Sequence, residues 1–316
     1  MRQPQFIQLH RLDDDALRDE LSAALLSRPA RVSPKFLYDA LGSRLFEAIT
    51  ELPEYYPTRT EAAIFEQYAK DMAAAIGSAA TLIDLGAGNC EKAARLFAAL
   101  RPARYVAVDI STEFLRNALT GLQRRFPGMD MLGVGVDFSR SLGLPPQALV
   151  GRTVFFYPGS SIGNFAPADA LVFLRSVRAA CAGGGLLIGV DLVKSSALLQ
   201  AAYDDALGVT AAFNLNLLLH LNKLIGSDFR VPQWQHVGLY DTQQSRVEMH
   251  LQAREALTVR WPSGKRAFTV GERIHTENSY KHTPEGFAAL LTEAGFSRVQ
   301  PWFDAQRWFA VFWAAG

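Results

Sequence analysis

Thr81-Leu-Ile-Asp-Leu-Gly-Ala-Gly-Asn-Cys-Glu-Lys92 decides the fold. A short apolar run ends around Asp84, passes Gly86 and Gly88, and enters a helix-like segment. Strand, tight turn and helix start is the arrangement by which a parallel sheet offers its backbone to a nucleotide-like ligand. The two glycines let that ligand approach the main chain, because neither carries a side chain. A dinucleotide turn usually has a third glycine, and Glu91 stands in its place. The missing glycine, with the acid at Asp84, favours S-adenosylmethionine over a nicotinamide dinucleotide.

Outward from this turn, strand-like and helix-like segments alternate from about residue 81 to 194. Thr81–Leu85, Tyr105–Asp109, Met131–Val136, Val154–Tyr157 and Leu186–Val190 are short, apolar and rich in β-branched or aromatic residues. Helical stretches at Glu91–Leu100, Thr112–Phe126 and Pro167–Ala182 separate them, the last ending at Gly183-Gly-Gly185. Near-continuous apolar strands between helices predict a parallel sheet covered on both faces. The pattern then changes. Ser195–Leu207 and Thr210–Gly226 read as helices, and Trp234–Asp241, Arg246–Ala253 and Leu257–Arg260 alternate as half-buried antiparallel strands do. Val247, Met249, Leu251 and Ala253 share one face of the second of these. After His282 the first style returns, with a helix to Glu293 and strands at Arg298–Phe303 and Trp308–Trp313. The expectation is an α/β chain: a Rossmann-like methyltransferase sheet domain over 61–194 plus 282–316, and an inserted α+β substrate-binding domain over 1–60 plus 195–281.

The 316 residues carry 32 Lys and Arg against 31 Asp and Glu, a net charge of +1. A chain that grips a nucleic-acid backbone needs a basic face, so neither nucleic acid nor membrane is an expected partner. Cys90 and Cys181 form no C-x-x-C pair, which suits a reducing compartment. Met1-Arg-Gln-Pro-Gln5 has no apolar core followed by a cleavage site, and no apolar run reaches membrane-spanning length. The expected location is the cytoplasm. His10, His220, His236, His250, His275 and His282 show no ligand spacing, so no metal is expected.

Asp109 closes the second strand about twenty residues after Gly86, where a carboxylate can accept hydrogen bonds from ribose hydroxyls. Asp137 and Phe138 end the third strand, where an acid can take an adenine amino group and a ring can pack on its face. Phe138 serves equally as core, and Lys92 equally as an exposed helix lysine. The fourth strand runs into Pro158-Gly-Ser-Ser-Ile-Gly-Asn164-Phe165, at the strand ends where ligands meet open α/β sheets. This loop lacks both the Asn/Asp-Pro-Pro-aromatic signature of adenine methylation in DNA and a cysteine nucleophile. A small-molecule acceptor is the expectation.

Over nearly its whole length the chain resembles the L-histidine Nα-methyltransferases of ergothioneine biosynthesis. The elements that carry the resemblance are Phe36-Leu-Tyr-Asp-Ala40, Leu52-Pro-Glu-Tyr-Tyr-Pro-Thr-Arg59, Asp84-Leu-Gly-Ala-Gly-Asn-Cys-Glu-Lys92 and Gly159-Ser-Ser-Ile-Gly-Asn164. Asp191-Leu-Val-Lys194, Ala202-Tyr-Asp-Asp205, Gly208-Val-Thr-Ala-Ala-Phe-Asn214, Arg246-Val-Glu-Met249 and Thr276-Glu-Asn-Ser279 continue it. Asn89-Cys90 and Asn278 depart from the family pattern. The resemblance implies three transfers from S-adenosylmethionine to the α-amine of histidine, giving the betaine hercynine. It implies that Tyr55 and Asn164 hold the amino-acid end, with Tyr203 also touching the substrate. Glu277 and Ser279 would grip the imidazole, Met249 would line its pocket, and Tyr38 would lie beside the reacting amine as the catalytic hydroxyl. Gly86, Gly88, Lys92, Asp109, Asp137 and Phe138 would contact the cofactor. Without the resemblance, Met249, Tyr203 and Tyr55 read first as packing.

The amine must be neutral to attack, and freeing its lone pair at pH 7 costs roughly 1.4–3 kcal/mol. That is small enough to need no strong dedicated base. Three other readings remain at this point. The same fold could methylate another aromatic amino acid such as tryptophan, or the chain could be a non-catalytic S-adenosylmethionine-binding protein; a nucleic-acid methyltransferase is more distant.

Overall fold

The computed structural model describes residues 2–9, 14–77, 80–138 and 141–316. Numbered along the chain, the strands are β1 (Gln5–Gln8), β2 (Ala30–Arg31), β3 (Thr81–Leu85), β4 (Arg104–Asp109), β5 (Asp130–Gly135), β6 (Thr153–Tyr157) and β7 (Gly185–Asp191). They continue as β8 (Trp234–Asp241), β9 (Arg246–Ala253), β10 (Leu257–Trp261), β11 (Gly264–Phe268), β12 (Arg273–Tyr280), β13 (Arg298–Phe303) and β14 (Phe309–Ala315). The helices are α1 (Asp14–Leu26), α2 (Ala40–Thr50), α3 (Tyr56–Ile76), α4 (Glu91–Leu100), α5 (Thr112–Arg125), α6 (Pro167–Ala180), α7 (Ser196–Tyr203), α8 (Val209–Ile225) and α9 (Pro284–Glu293).

The chain divides into two compact units. The first comprises Met1–Arg11, Pro57–Val193 and Lys281–Gly316, the second Leu12–Tyr56 and Lys194–Tyr280. The first unit is built on an eight-stranded sheet in the order β1-β5-β4-β3-β6-β7-β14-β13. Its strands from β1 to β7 run parallel, and β14 and β13 are antiparallel to their neighbours. Strand side chains alternate between faces, and both faces here are covered. Ile83, Val106, Phe155 and Ile188 pack with Phe173 and Leu174 of α6 and Phe287 of α9. Leu82, Tyr105, Phe156 and Leu187 pack on the other side with Ile64 and Phe65 of α3, Phe97 of α4 and Leu119 of α5.

The sequence reading groups all of residues 1–60 with the inserted segment, but β1 extends the large sheet, pairing Gln5 with Leu132 and Phe6 with Gly133. The ring of Phe6 explains the position. A Cβ on Gly133 would lie 2.4 Å from that ring, so the bare glycine is what admits it. The Arg116 guanidinium covers its outer face at 4.5 Å. Within the insertion, β11 also escaped the sequence reading; it completes an antiparallel hairpin with β10. His10 lies outside the described residues.

The second unit holds a four-stranded sheet in the order β2-β12-β9-β8, with α8 against β8 and β9. The alternation in β9 is as read: Val247, Met249, Leu251 and Ala253 are buried on one face. Asn214, fully buried on α8, donates to the His250 carbonyl at 3.1 Å and bonds the His236 ring at 2.9 Å. The Asp205 carboxylate opens α8 by accepting from the amides of Val209 and Thr210, satisfying donors that a helix start leaves unpaired. No helix among the described residues is long and apolar enough to cross a membrane.

Candidate active site

In the first unit, the turn after β3, Asp109 at the end of β4, Asp137 and Phe138 after β5, and Ser161–Asn164 after β6 all stand at the carboxyl ends of parallel strands. Gly86 and Gly88 both take left-handed backbone, with φ +70° and +52°. The Asp109 carboxylate accepts the Gly88 amide at 3.0 Å through one oxygen and the Ser111 amide at 2.8 Å through the other. One strand end thereby fixes the glycine turn of its neighbour. Burial pushes the Asp109 pKa above the usual carboxylate range, against the pull of the Ser111, Gly88 and Ile110 amides. A carboxylate has about four acceptor positions, so its bonds to these amides still leave room for a ribose hydroxyl. Phe138 reaches over the turn, since a Cβ on Gly86 would lie 3.9 Å from the end of its ring. The other side of that ring meets Tyr157 and Phe173 at 6.0 and 6.1 Å. Gly86, Gly88, Asp109 and Phe138 are thus brought together.

Asp84 lies buried near the end of β3. It is 1% exposed; Tyr105 donates to its Oδ2 at 2.7 Å, and its Oδ1 has no hydrogen-bond partner. Burial lifts its pKa to about 7, partly offset by the Tyr105 bond and the charge of Lys92. A buried acid whose pKa is raised in the fold binds its proton where the unfolded chain has released it, so stability falls as pH rises from about 4 to 7. Asp84→Asn removes this loss. Its thermal midpoint should match the parent's near pH 4 and exceed it increasingly up to pH 7, by at most on the order of 4 kcal/mol in stability. A midpoint difference that stays constant across that range would show that Asp84 is ionised throughout. Cys90 caps α4 beside it, and burial raises its thiol to about 12, so it is no nucleophile.

The Lys92 ammonium lies 2.7 Å from the buried carboxylate of Glu61 on α3, and its side chain stays about one-third exposed. The other Glu61 oxygen accepts the Gly159 amide at 2.7 Å. Glu61 carries no role in the sequence reading. Its signal was its place on one helix face with Ile64 and Phe65, where an acid needs a partner. Beyond Gly159, Ser161–Asn164 form a single 3-10 turn that leaves Asn164 half-buried at its end.

In the second unit, Tyr38, Phe46, Tyr55, Tyr203 and Phe213 form a chain of edge-on and tilted rings with centroids 5.5–6.3 Å apart. The Tyr203 hydroxyl donates to Ser279 Oγ at 2.7 Å. Ser279 and Glu277 lie on β12 opposite Val247 and Met249 of β9. A bulge decides where the carboxylate goes. His275 pairs with His250, but the next pair is Glu277 with Met249, so Thr276 is the extra residue. Its hydroxyl bonds back to the Met249 carbonyl at 3.0 Å. Without the bulge Glu277 would share the face of His275; with it, Glu277 joins Met249 and Ser279 on the buried face and is only 8% exposed. Met249, Glu277, Ser279 and Tyr203 are thereby assembled around one polar, aromatic-flanked patch.

A family model described as histidine-specific, SAM-dependent methyltransferase matches residues 17–315. The chain belongs to this family. It is 41% identical over 297 residues to the histidine N-alpha-methyltransferase of Mycolicibacterium smegmatis, covering 92% of each chain. To the enzyme of the same name from Mycobacterium tuberculosis it is 38% identical, covering 95% of each. "Ergothioneine biosynthesis protein 1" of Neurospora crassa is 32% identical over 87% of this chain, which spans about a third of that protein. As a member of the histidine-specific methyltransferases the chain is an enzyme that uses S-adenosylmethionine, and its residues fit that donor. The exposed left-handed Gly86, the ring above it and the remaining acceptor sites of Asp109 make a cradle that a side chain at position 86 would fill.

Proposed function

We propose that this enzyme transfers methyl groups to the α-amine of L-histidine until it is the trimethylated betaine hercynine, the opening reaction of ergothioneine synthesis. The observation that carries the reading is Glu277, turned by the bulge onto the buried face beside Met249 and Ser279. A carboxylate in such a place suits a polar ring with an N–H to donate, and would be left desolvated by an indole or phenyl ring. Ser279, already bonded to Tyr203, supplies a second polar contact for the ring, and Met249 an apolar wall. Tyr55 and Asn164 are proposed to hold the amino-acid end, with Tyr203, and Tyr38 to lie at the reacting nitrogen.

S-adenosylmethionine supplies an already activated methyl, so the protein's work is alignment and the supply of a neutral amine. Gly86, Gly88, Lys92, Asp109, Asp137 and Phe138 are proposed to hold the donor. Aromatic rings such as Tyr38 and Tyr55 tolerate the permanent positive charge of the product through their π faces. We further propose a cytoplasmic location, supported by two buried free cysteines that suit a reducing compartment. The sheet unit is proposed to bind the donor and the inserted unit the acceptor.

The test is a competition. Purified protein, S-adenosylmethionine and an equimolar mixture of the twenty amino acids are incubated and read by mass spectrometry. Histidine should be the preferred acceptor and tryptophan should remain unmodified. Preference for any other amino acid would overturn the assignment.

A further inference from the structure

We infer that Glu61 is a positioning residue for methyl transfer, holding the Lys92 ammonium and the Gly159 amide at once and so tying the donor-binding turn to the loop that ends at Asn164. The inference rests on the methyl-transfer reading above and adds to it a residue that touches neither substrate. Glu61 is 1% exposed, and an acid at that depth persists only if charge and hydrogen bonds compensate it. Here each oxygen has one partner, Lys92 Nζ and Gly159 N, both at 2.7 Å.

The surroundings are shaped for this carboxylate. A Cβ on Gly189 of β7 would lie 2.1 Å from Glu61 Oε1, and one on Gly159 would lie 2.9 Å from Lys92 Nζ. Glycine at both positions leaves room for the acid and its ammonium. The loop it holds is also conformationally demanding: Gly159 and Ser160 are consecutively left-handed, at φ +77° and +59°. Two tethers keep it so. One is Glu61 on the Gly159 amide, and the other is the Asp191 amide, which donates to Ser160 Oγ at 2.8 Å. An ammonium has three donors and Glu61 takes one of them. The Lys92 side chain stays one-third open, so its remaining donors can serve an anionic group of the donor molecule.

Glu61→Gln separates the two bonds. The amide oxygen can still accept from Gly159, while its NH₂ would meet the Lys92 ammonium donor to donor. We expect this variant to fold, to bind S-adenosylmethionine about tenfold more weakly, and to keep its histidine KM within about twofold, because a charge-assisted bond is lost and the loop bond is kept. Glu61→Ala removes both bonds and should also raise the histidine KM about tenfold. Calorimetry on Lys92→Met and on Glu61→Gln combined with Lys92→Met completes a cycle. The double variant should bind the donor no more weakly than Lys92→Met alone, since the two residues act through one contact. Additive losses in the double variant, or donor binding and histidine KM both within twofold of the parent in Glu61→Ala, would overturn the inference. The same holds if only the thermal midpoint moves. The donor-binding cycle is measured without acceptor, so it stands or falls separately from the identity of the amino acid.

Discussion

Glu277→Ala should lower kcat/KM for histidine by about 10³–10⁴-fold while leaving the Kd for S-adenosylmethionine within about twofold. The size follows from what the residue does in a buried place. A site built to hydrogen-bond a polar ring loses that bond on truncation and leaves the ring's N–H desolvated, a double cost. Apolar fit to Met249 alone cannot replace it, since hydrophobic discrimination is worth only about 1–3 kcal/mol. The residues proposed to hold the donor all lie in the first unit, none of them on β12, so donor affinity should not follow. Glu277→Gln keeps an acceptor and should lose less. Steady-state kinetics with calorimetry decides the matter: near-parental turnover in Glu277→Ala would remove this carboxylate from the substrate site.

Asp109→Ala should weaken S-adenosylmethionine binding about a hundredfold or more. Its carboxylate holds the turn and is proposed to hold the ligand as well. Loss of the bonds to Gly88 and Ser111 frees a glycine turn that needs left-handed backbone at two positions. The acceptors proposed for ribose go with them, and bonds to a charged group are worth about 1.5–3 kcal/mol each. Asp109→Asn keeps one acceptor oxygen, so its loss should be intermediate. Calorimetric titration checks the order alanine, asparagine, parent. Equal affinity in all three would mean that the ribose is held elsewhere.

Much of the sheet unit was legible in the sequence because its strands are buried on both faces. Thr81–Leu85 and Glu91–Leu100 have the boundaries read from composition, and the other parallel strands differ by a residue or two at their ends. A continuous apolar run between turn signals leaves little alternative. In the insertion, Trp234–Asp241 and Arg246–Ala253 were equally plain from their alternation. What escaped was set by partners distant in sequence. β1 is four residues with two glutamines, and only Gly133's bare backbone gives Phe6 its place. The extra residue at Thr276 cannot be seen in Thr-Glu-Asn-Ser, because a bulge is a mismatch between two strands and not a property of one. Glu61 left a faint local sign, an acid on an apolar helix face, but neither of its partners is within thirty residues of it.

The most direct measurement follows methyl groups from ¹³C-methyl-labelled S-adenosylmethionine onto L-histidine, with the site of attachment read by NMR. Label should appear on the α-nitrogen alone, passing through mono- and dimethyl forms to the trimethylated betaine. Label on an imidazole nitrogen, or none on histidine while the donor is bound, would contradict it.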